Sequence, residues 1–227
     1  MTINEAPRPP AWAAGRGSTV TAVTFTGDDL GVLASLVAEA WRSGAARDWA
    51  VPAGDLAWSC SRTADHAVDT LLASAFFLAS RRQDDYPAYG ASTPGPDAAP
   101  EVLAEAVETA ARILAAVACA AEPDVRAVIW RRPEVETREP ADFVPRGALE
   151  LILHAHDVCT GLGVAFTPPA ELCEALRRHT RDWPHWRSPG WAPLTLDGDP
   201  WADLLRGAGR RVPPLAPPPR RPDGPTP

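Results

Sequence analysis

Lysine is absent from the 227-residue chain, so arginine carries all of its fixed positive charge. Asp and Glu outnumber Lys and Arg 29 to 22, giving a formal charge of -7, and no basic surface suited to a general nucleic-acid binder is expected. The bias against lysine carries no mechanism of its own. No apolar run approaches the about 20 uncharged residues of a membrane span. Nor does the N-terminal stretch, with Glu5, Arg8 and its early prolines, hold the apolar core of a secretory signal. Cys60, Cys119, Cys159 and Cys173 are widely spaced with no Cys-x-x-Cys pair, the pattern of reduced core thiols in a cytoplasmic protein. A glycine-rich phosphate loop is also missing: Gly161-Leu162-Gly163 lacks the rest of a dinucleotide fingerprint and reads as a helix stop. A Ser/His/Asp triad finds no Gly-x-Ser-x-Gly elbow. No internal repeat is visible.

What remains is helical patterning, in a chain whose 45% hydrophobic content supports one domain with a substantial core. Residues 1–24 read as a flexible N-terminal arm. A first helix starts near Asp28 and Asp29, carries Leu30, Leu33, Leu36, Val37, Ala40 and Trp41 at helical spacing, and ends near Gly44. Ser59 is the N-cap of a second helix over about 60–82, with Ala64, Ala67, Val68, Leu71, Leu72 and Ala75 as its stripe. The irregular stretch 84–99 is long for a bundle connection, where about 2–8 residues is usual, and implies a crossover or a lid. Pro100 opens a third helix to about 121. Val125–Trp130 reads as a short strand or extended chain. A fourth helix is expected over about 145–161, a fifth from Pro168 or Pro169, and a sixth around Pro200–Arg206. Residues 213–227 read as a Pro/Arg-rich disordered tail. The fold class is therefore all-α: a four-helix bundle over 25–212, with a long crossover between helices 2 and 3 and short C-terminal helices.

The chemistry concentrates in the fourth helix. Arg146, Glu150, His154 and Asp157 follow an i, i+4, i+8, i+11 progression and share one helix face. Burying an unpaired carboxylate is costly, so a Glu-x-x-x-His pair flanked by apolar residues invites a metal ion. His156 points the other way. His66, on an apolar helix expected to pack against the fourth, is the natural third ligand. Two histidines and a carboxylate form a facial set with open positions. Zinc suits it, and iron, nickel or manganese can use the same donors. Asp157 either accepts the second ring N–H of His154 and fixes the imidazole, or caps or pairs with Arg62 or Arg146. His179 and His185 fall in a Trp/Pro-rich stretch and read as surface histidines away from the core.

Trp58-Ser59 followed by His66 resembles the helix start of the DinB-like metal-binding four-helix-bundle proteins. Glu150 to Asp157, read as E-x-x-x-H-x-x-D, resembles the signature of the mycothiol-dependent maleylpyruvate isomerase branch. The Asp199-Pro200-Trp201 to Gly209-Arg210-Arg211 ending is also similar to that of actinobacterial members, so the resemblance covers about 28–212. One difference is the acidic Asp65 just before the ligand, where the family has a small or apolar residue. The resemblance implies one divalent metal, usually zinc, on His66, Glu150 and His154. It also implies a low-molecular-weight thiol such as mycothiol as cosubstrate, in isomerisation or S-transfer to a small electrophile. Arg62 or Arg146, one turn before a ligand, would hold a carboxylate on either reactant. Two other readings use the same fold: a bundle that has lost the chemistry and serves as a binding module, and a metal hydrolase that needs no thiol.

Overall fold

The computed structural model describes residues 24–132 and 134–212. Four long helices carry the architecture: α1 (Gly27–Ser43), α2 (Cys60–Ser80), α3 (Pro100–Ala120) and α4 (Pro140–Leu162). α1 packs chiefly on α3, α2 on both α3 and α4, and α4 returns to touch α1. One continuous core lies between them, built on Leu30, Leu33, Leu71, Leu103, Leu114 and Ile152. Among the described residues no helix is long and apolar enough to cross a membrane.

Local rules set most helix starts. Thr26 caps α1 in a reciprocal box with Asp29. Ser59 accepts from the Arg62 backbone N–H at 3.2 Å and so starts α2 at Cys60. Pro100 occupies the first position of α3. α4 begins five residues before the expected Pro145, at Pro140. Either proline suits a first position. The chain uses Pro140, and Pro145 stands in the second turn at the cost of the one bond the Ala141 carbonyl would accept. The extra turn buries Phe143 and Val144.

The mostly helical expectation holds, with one addition. β1 (Ala127–Trp130) pairs antiparallel with β2 (Glu136–Arg138) in a two-stranded sheet. β1 lies on α2, held by the Val128 N–H donating to the Arg82 carbonyl at 2.7 Å. Its core-facing residues are fully buried, whereas β2 is half-buried and carries no apolar alternation that would mark it in advance. The connection after α2 is fastened down along its length. Tyr86 stacks on Phe77 at 4.0 Å, and the Gly95 N–H donates to Asp65 at 2.9 Å. Asp65, the acidic neighbour of His66, is thus the anchor of the crossover.

α5 (Ala170–Thr180), a 3₁₀ turn (Pro184–Arg187) and α6 (Pro200–Gly207) complete the fold. α5 packs on α4 and on α6. The buried Arg177–Asp203 ion pair at 3.2 Å joins α5 to α6. The segments read as arm and tail fall almost wholly outside the described residues.

Candidate metal centre

α2 and α4 pack along their lengths, and the site forms at the edge of that seam. On α2, Ala64, Ala67, Val68 and Leu71 are essentially unexposed and fix the inward face. His66 stands beside that stripe, half-buried. On α4, Ala148, Leu151, Ile152 and Ala155 do the same for Glu150 and His154. Gly147 sets the spacing. A Cβ there would fall 2.6 Å from the Leu114 Cδ2 and 3.0 Å from the Leu71 Cδ2, so any larger residue one turn before Glu150 would force the two leucine side chains to shift.

The approach brings the two expected histidines together: the His66 and His154 rings are 5.1 Å apart. One donor atom each from His66, Glu150 and His154 lies within 4.8 Å of the others. His154 Nε2 is 3.5 Å from the Glu150 carboxylate, whereas Nδ1 is 3.3 Å from Asp157. Two ligands of a tetrahedral zinc stand roughly 3.4 Å apart, given bond lengths near 2.1 Å. The donor set, its spacing and the split use of the His154 nitrogens fit a divalent cation. Nε2 would ligate, and Nδ1–H would donate to Asp157.

Charge is arranged to match. Burial opposes ionisation of Glu150, but the His154 hydrogen bond and the Arg146, His154 and His66 charges overcome it and hold the carboxyl at about 2. His66 is pushed down by burial and by His154, which keeps it neutral with a free lone pair. Burial likewise works against His154 charging, yet the Asp157 and Glu150 hydrogen bonds carry it above its ordinary value. The two imidazoles are therefore unlike: the surroundings of His66 favour the neutral ring, and those of His154 favour the protonated ring more than water does.

Asp157 lies 3.3 Å from His154 Nδ1, and its other partner is neither Arg62 nor Arg146. Arg210, just after α6, reaches back to it with Nη2 at 2.9 Å and Nε at 3.3 Å. That residue was not identifiable as part of the site, because the contact crosses 53 positions of sequence. Arg62 is exposed, its guanidinium 4.5 Å above Trp58, and Trp58 stands edge-on to His66 at 5.1 Å. Arg146 lies on the other side, 3.4 Å from the Ser74 hydroxyl and 5.8 Å from the centre of the Trp130 ring.

The two late histidines correct the expectation of surface residues away from the core. His179 is largely shielded and pairs with Asp142 of α4 at 2.9 Å. His185 is packed among Trp130, Trp183, Trp186 and Trp191. Burial pushes it down to about 4, and it feels the charges of Glu150 and Arg146. The tryptophans explain the difference: their area is worth more folded back over β1 than left in water. His156 does turn away, edge-on to Trp201.

No family model, curated protein or solved structure matches the chain. The arrangement of side chains is what bears on function.

Proposed function

We propose that the chain is a DinB-like, divalent-metal-dependent enzyme that activates a small thiol, such as mycothiol, for transfer to or isomerisation of a small electrophile. The observation that carries this reading is the convergence of His66, Glu150 and His154 within 4.8 Å, with His154 held from behind by Asp157. Zinc suits the mixed nitrogen and oxygen set. Three protein ligands leave at least one position for an exchangeable group. A divalent ion there would lower the pKa of a thiol beside it and make a thiolate available near neutral pH.

The chain's own thiols support an external one. Burial pushes Cys60 up to about 11 and Cys159 up to about 12, so both stay protonated and unreactive. Among the described residues no cysteine joins the donor cluster. All four are unpaired, which suits a reducing cytoplasm. The protein's part is to hold and shield: Asp157 fixes the His154 tautomer, Arg146 favours negative charge beside Glu150, and Trp58 covers the His66 side.

Metal analysis of purified protein is the first test, with about one zinc per chain expected and loss in both His66→Ala and His154→Ala. Thiol titrated into cobalt-substituted protein should then give a sulfur-to-cobalt charge-transfer band. Metal without such a band leaves a thiol-independent hydrolase, and no metal leaves a binding module.

A further inference from the structure

α3 carries two apolar stripes, and the core uses one. Leu103, Val107, Ala111 and Leu114 are buried against the bundle. Val102, Ala106, Ala110 and Ile113 follow at i, i+4, i+8 and i+11 and share a second face. On that face Val102 is 46% exposed and Ile113 40%, large apolar side chains that the fold leaves in water. Between this stripe, Val68 and Leu72 of α2, and residues 91–94 of the crossover lies a groove of about 460 Å³. That volume falls within the usual span of small-molecule sites, about 300–1,000 Å³. None of the metal-centre residues lines it. Val68 and Leu72 stand roughly 200–240° around α2 from His66, on the opposite side of the helix.

The polar groups of the groove all lack partners. Glu105 is the single ionisable residue lining it, and it pairs with nothing among the described residues. Arginines on the neighbouring turns are engaged elsewhere: Arg42 closes on the Glu108 carboxylate at 2.7 Å, and Arg112 Nε donates to the Glu108 carbonyl at 3.1 Å. Three hydroxyls, Ser92 and Thr93 on the crossover and Thr109 on α3, also line the groove and make no hydrogen bond within the described chain. Thr70, by contrast, donates to the carbonyl of His66 four residues back. Apolar walls with one free carboxylate and free hydroxyl oxygens match an ammonium group, which has three N–H donors and no acceptor. An anion would be repelled there, and a neutral apolar molecule would strip water from Glu105 without replacing it.

We propose that the groove between α2, α3 and the crossover binds a small organic cation, an ammonium carried on an apolar chain or ring. Glu105 meets the ammonium, hydroxyl oxygens of Ser92, Thr93 or Thr109 accept its other N–H bonds, and Val68, Leu72, Val102 and Ile113 enclose the apolar part. The site stands apart from the metal centre and does not depend on the metal-enzyme reading. A protein partner fits this surface less well. Specific interfaces bury about 800 Å² on each side, whereas the large exposed apolar side chains lining the groove are Val102 and Ile113 alone.

The test titrates 4-phenylbutylamine and its neutral counterpart 4-phenylbutanol into the full chain, with and without a chelator, because an amine can also ligate zinc. Binding is read by calorimetry, and the oligomeric state of the same samples by sedimentation. The amine should bind about two- to fivefold tighter than the alcohol, the scale of an exposed ion pair, and equally well in chelated protein. Shortening the amine by one methylene should cost up to about fourfold. Glu105 is exposed, so Glu105→Gln keeps the fold; it should erase the preference for the amine and leave the alcohol unchanged. Ala106→Leu fills the floor of the groove and should weaken both probes with the far-ultraviolet spectrum unchanged. Equal affinity for amine and alcohol, no binding of the amine, binding that vanishes with the chelator, or full affinity in folded Ala106→Leu overturns the proposal. A wild-type chain that binds neither probe but self-associates, and becomes monomeric in Ile113→Asp, assigns the groove to a second copy and overturns it as well.

Discussion

Replacing Asp157 by Asn separates two roles that one carboxylate now fills. Its side chain is 4% exposed and receives His154 Nδ1 at 3.3 Å and Arg210 at 2.9 and 3.3 Å. An amide of the same shape keeps one acceptor oxygen and presents an N–H₂ to partners that are themselves donors. His154 Nδ1 and Arg210 Nη2 share one oxygen, Oδ2, and Arg210 Nε takes the other, so the amide either keeps its oxygen on the shared side and serves both, or flips and denies both. If it flips, the imidazole is free to rotate, and outer-shell losses of this kind cost about 10–100-fold in metal affinity. In either orientation the neutral amide leaves Arg210, a cation of 17% exposure, without its counter-ion. A fully buried broken pair costs about 3–5 kcal/mol, and partial exposure brings this to roughly 2 kcal/mol. For a domain of this size that is a fall of about 4–8 °C in Tm. Zinc competition against a chelating dye reads the first loss, and thermal unfolding of chelated protein reads the second. Arg210→Gln is the control: it should lower Tm by a similar amount yet change zinc affinity less than about threefold, since Asp157 still faces His154. Wild-type zinc affinity in both Asp157→Asn and Asp157→Ala, the second of which removes every acceptor, would refute the orienting role and leave Asp157 as a structural tie.

Other consequences are open to direct measurement. Asp157 and Glu150 raise the His154 pKa, so a metal must displace its proton; zinc affinity should climb as pH rises from about 6.5, with proton release seen by calorimetry in buffers of different ionisation heat. The same shift has the opposite sign for chelated protein, whose His154 contribution is fully present below 6.5 and fades as pH rises through the raised value. Cys60→Ala and Cys159→Ala should leave thiol-dependent turnover within about twofold, because both thiols are buried and protonated; loss of turnover in a folded variant would implicate an internal thiol. Gly161→Ala should destabilise by about 1–3 kcal/mol in denaturant melts, since its Cβ would sit 2.3 Å from the Pro52 carbonyl and push the 49–59 segment off α4.

The parts of this molecule that are legible in its sequence are those governed by short-range rules. Ser59 is a hydroxyl before an apolar periodic run, and it caps α2 as expected. Glu150 and His154 are one helical turn apart, so their common face follows from spacing alone. His66 needed only the assumption that two apolar helices pack. The failures have a common cause. Pro140 and Pro145 are equally good helix starts until tertiary packing of Phe143 decides between them. Arg210 looks like any exposed arginine near a chain end until α6 docks and aims it at Asp157. His185 sits among prolines and tryptophans that say nothing locally of their shared burial. For Arg210 and His185 the distant partners, Asp157 and Trp130, stand more than fifty residues away, beyond the reach of periodicity or capping.

Arg210 ties the order of assembly to the order of synthesis. Ligands from α2 and α4 can meet as soon as residue 162 has been made. The carboxylate that steadies His154 stays unmatched until the chain has grown 53 residues past it and α6 has folded back. Because such long-range contacts form late, a nascent or truncated chain ending before Arg210 would carry Asp157 as a shielded carboxylate with no cation beside it and would be less stable than the finished fold. Neutralising the shielded Asp157 is in this sense left to the last part of the described chain to leave the ribosome.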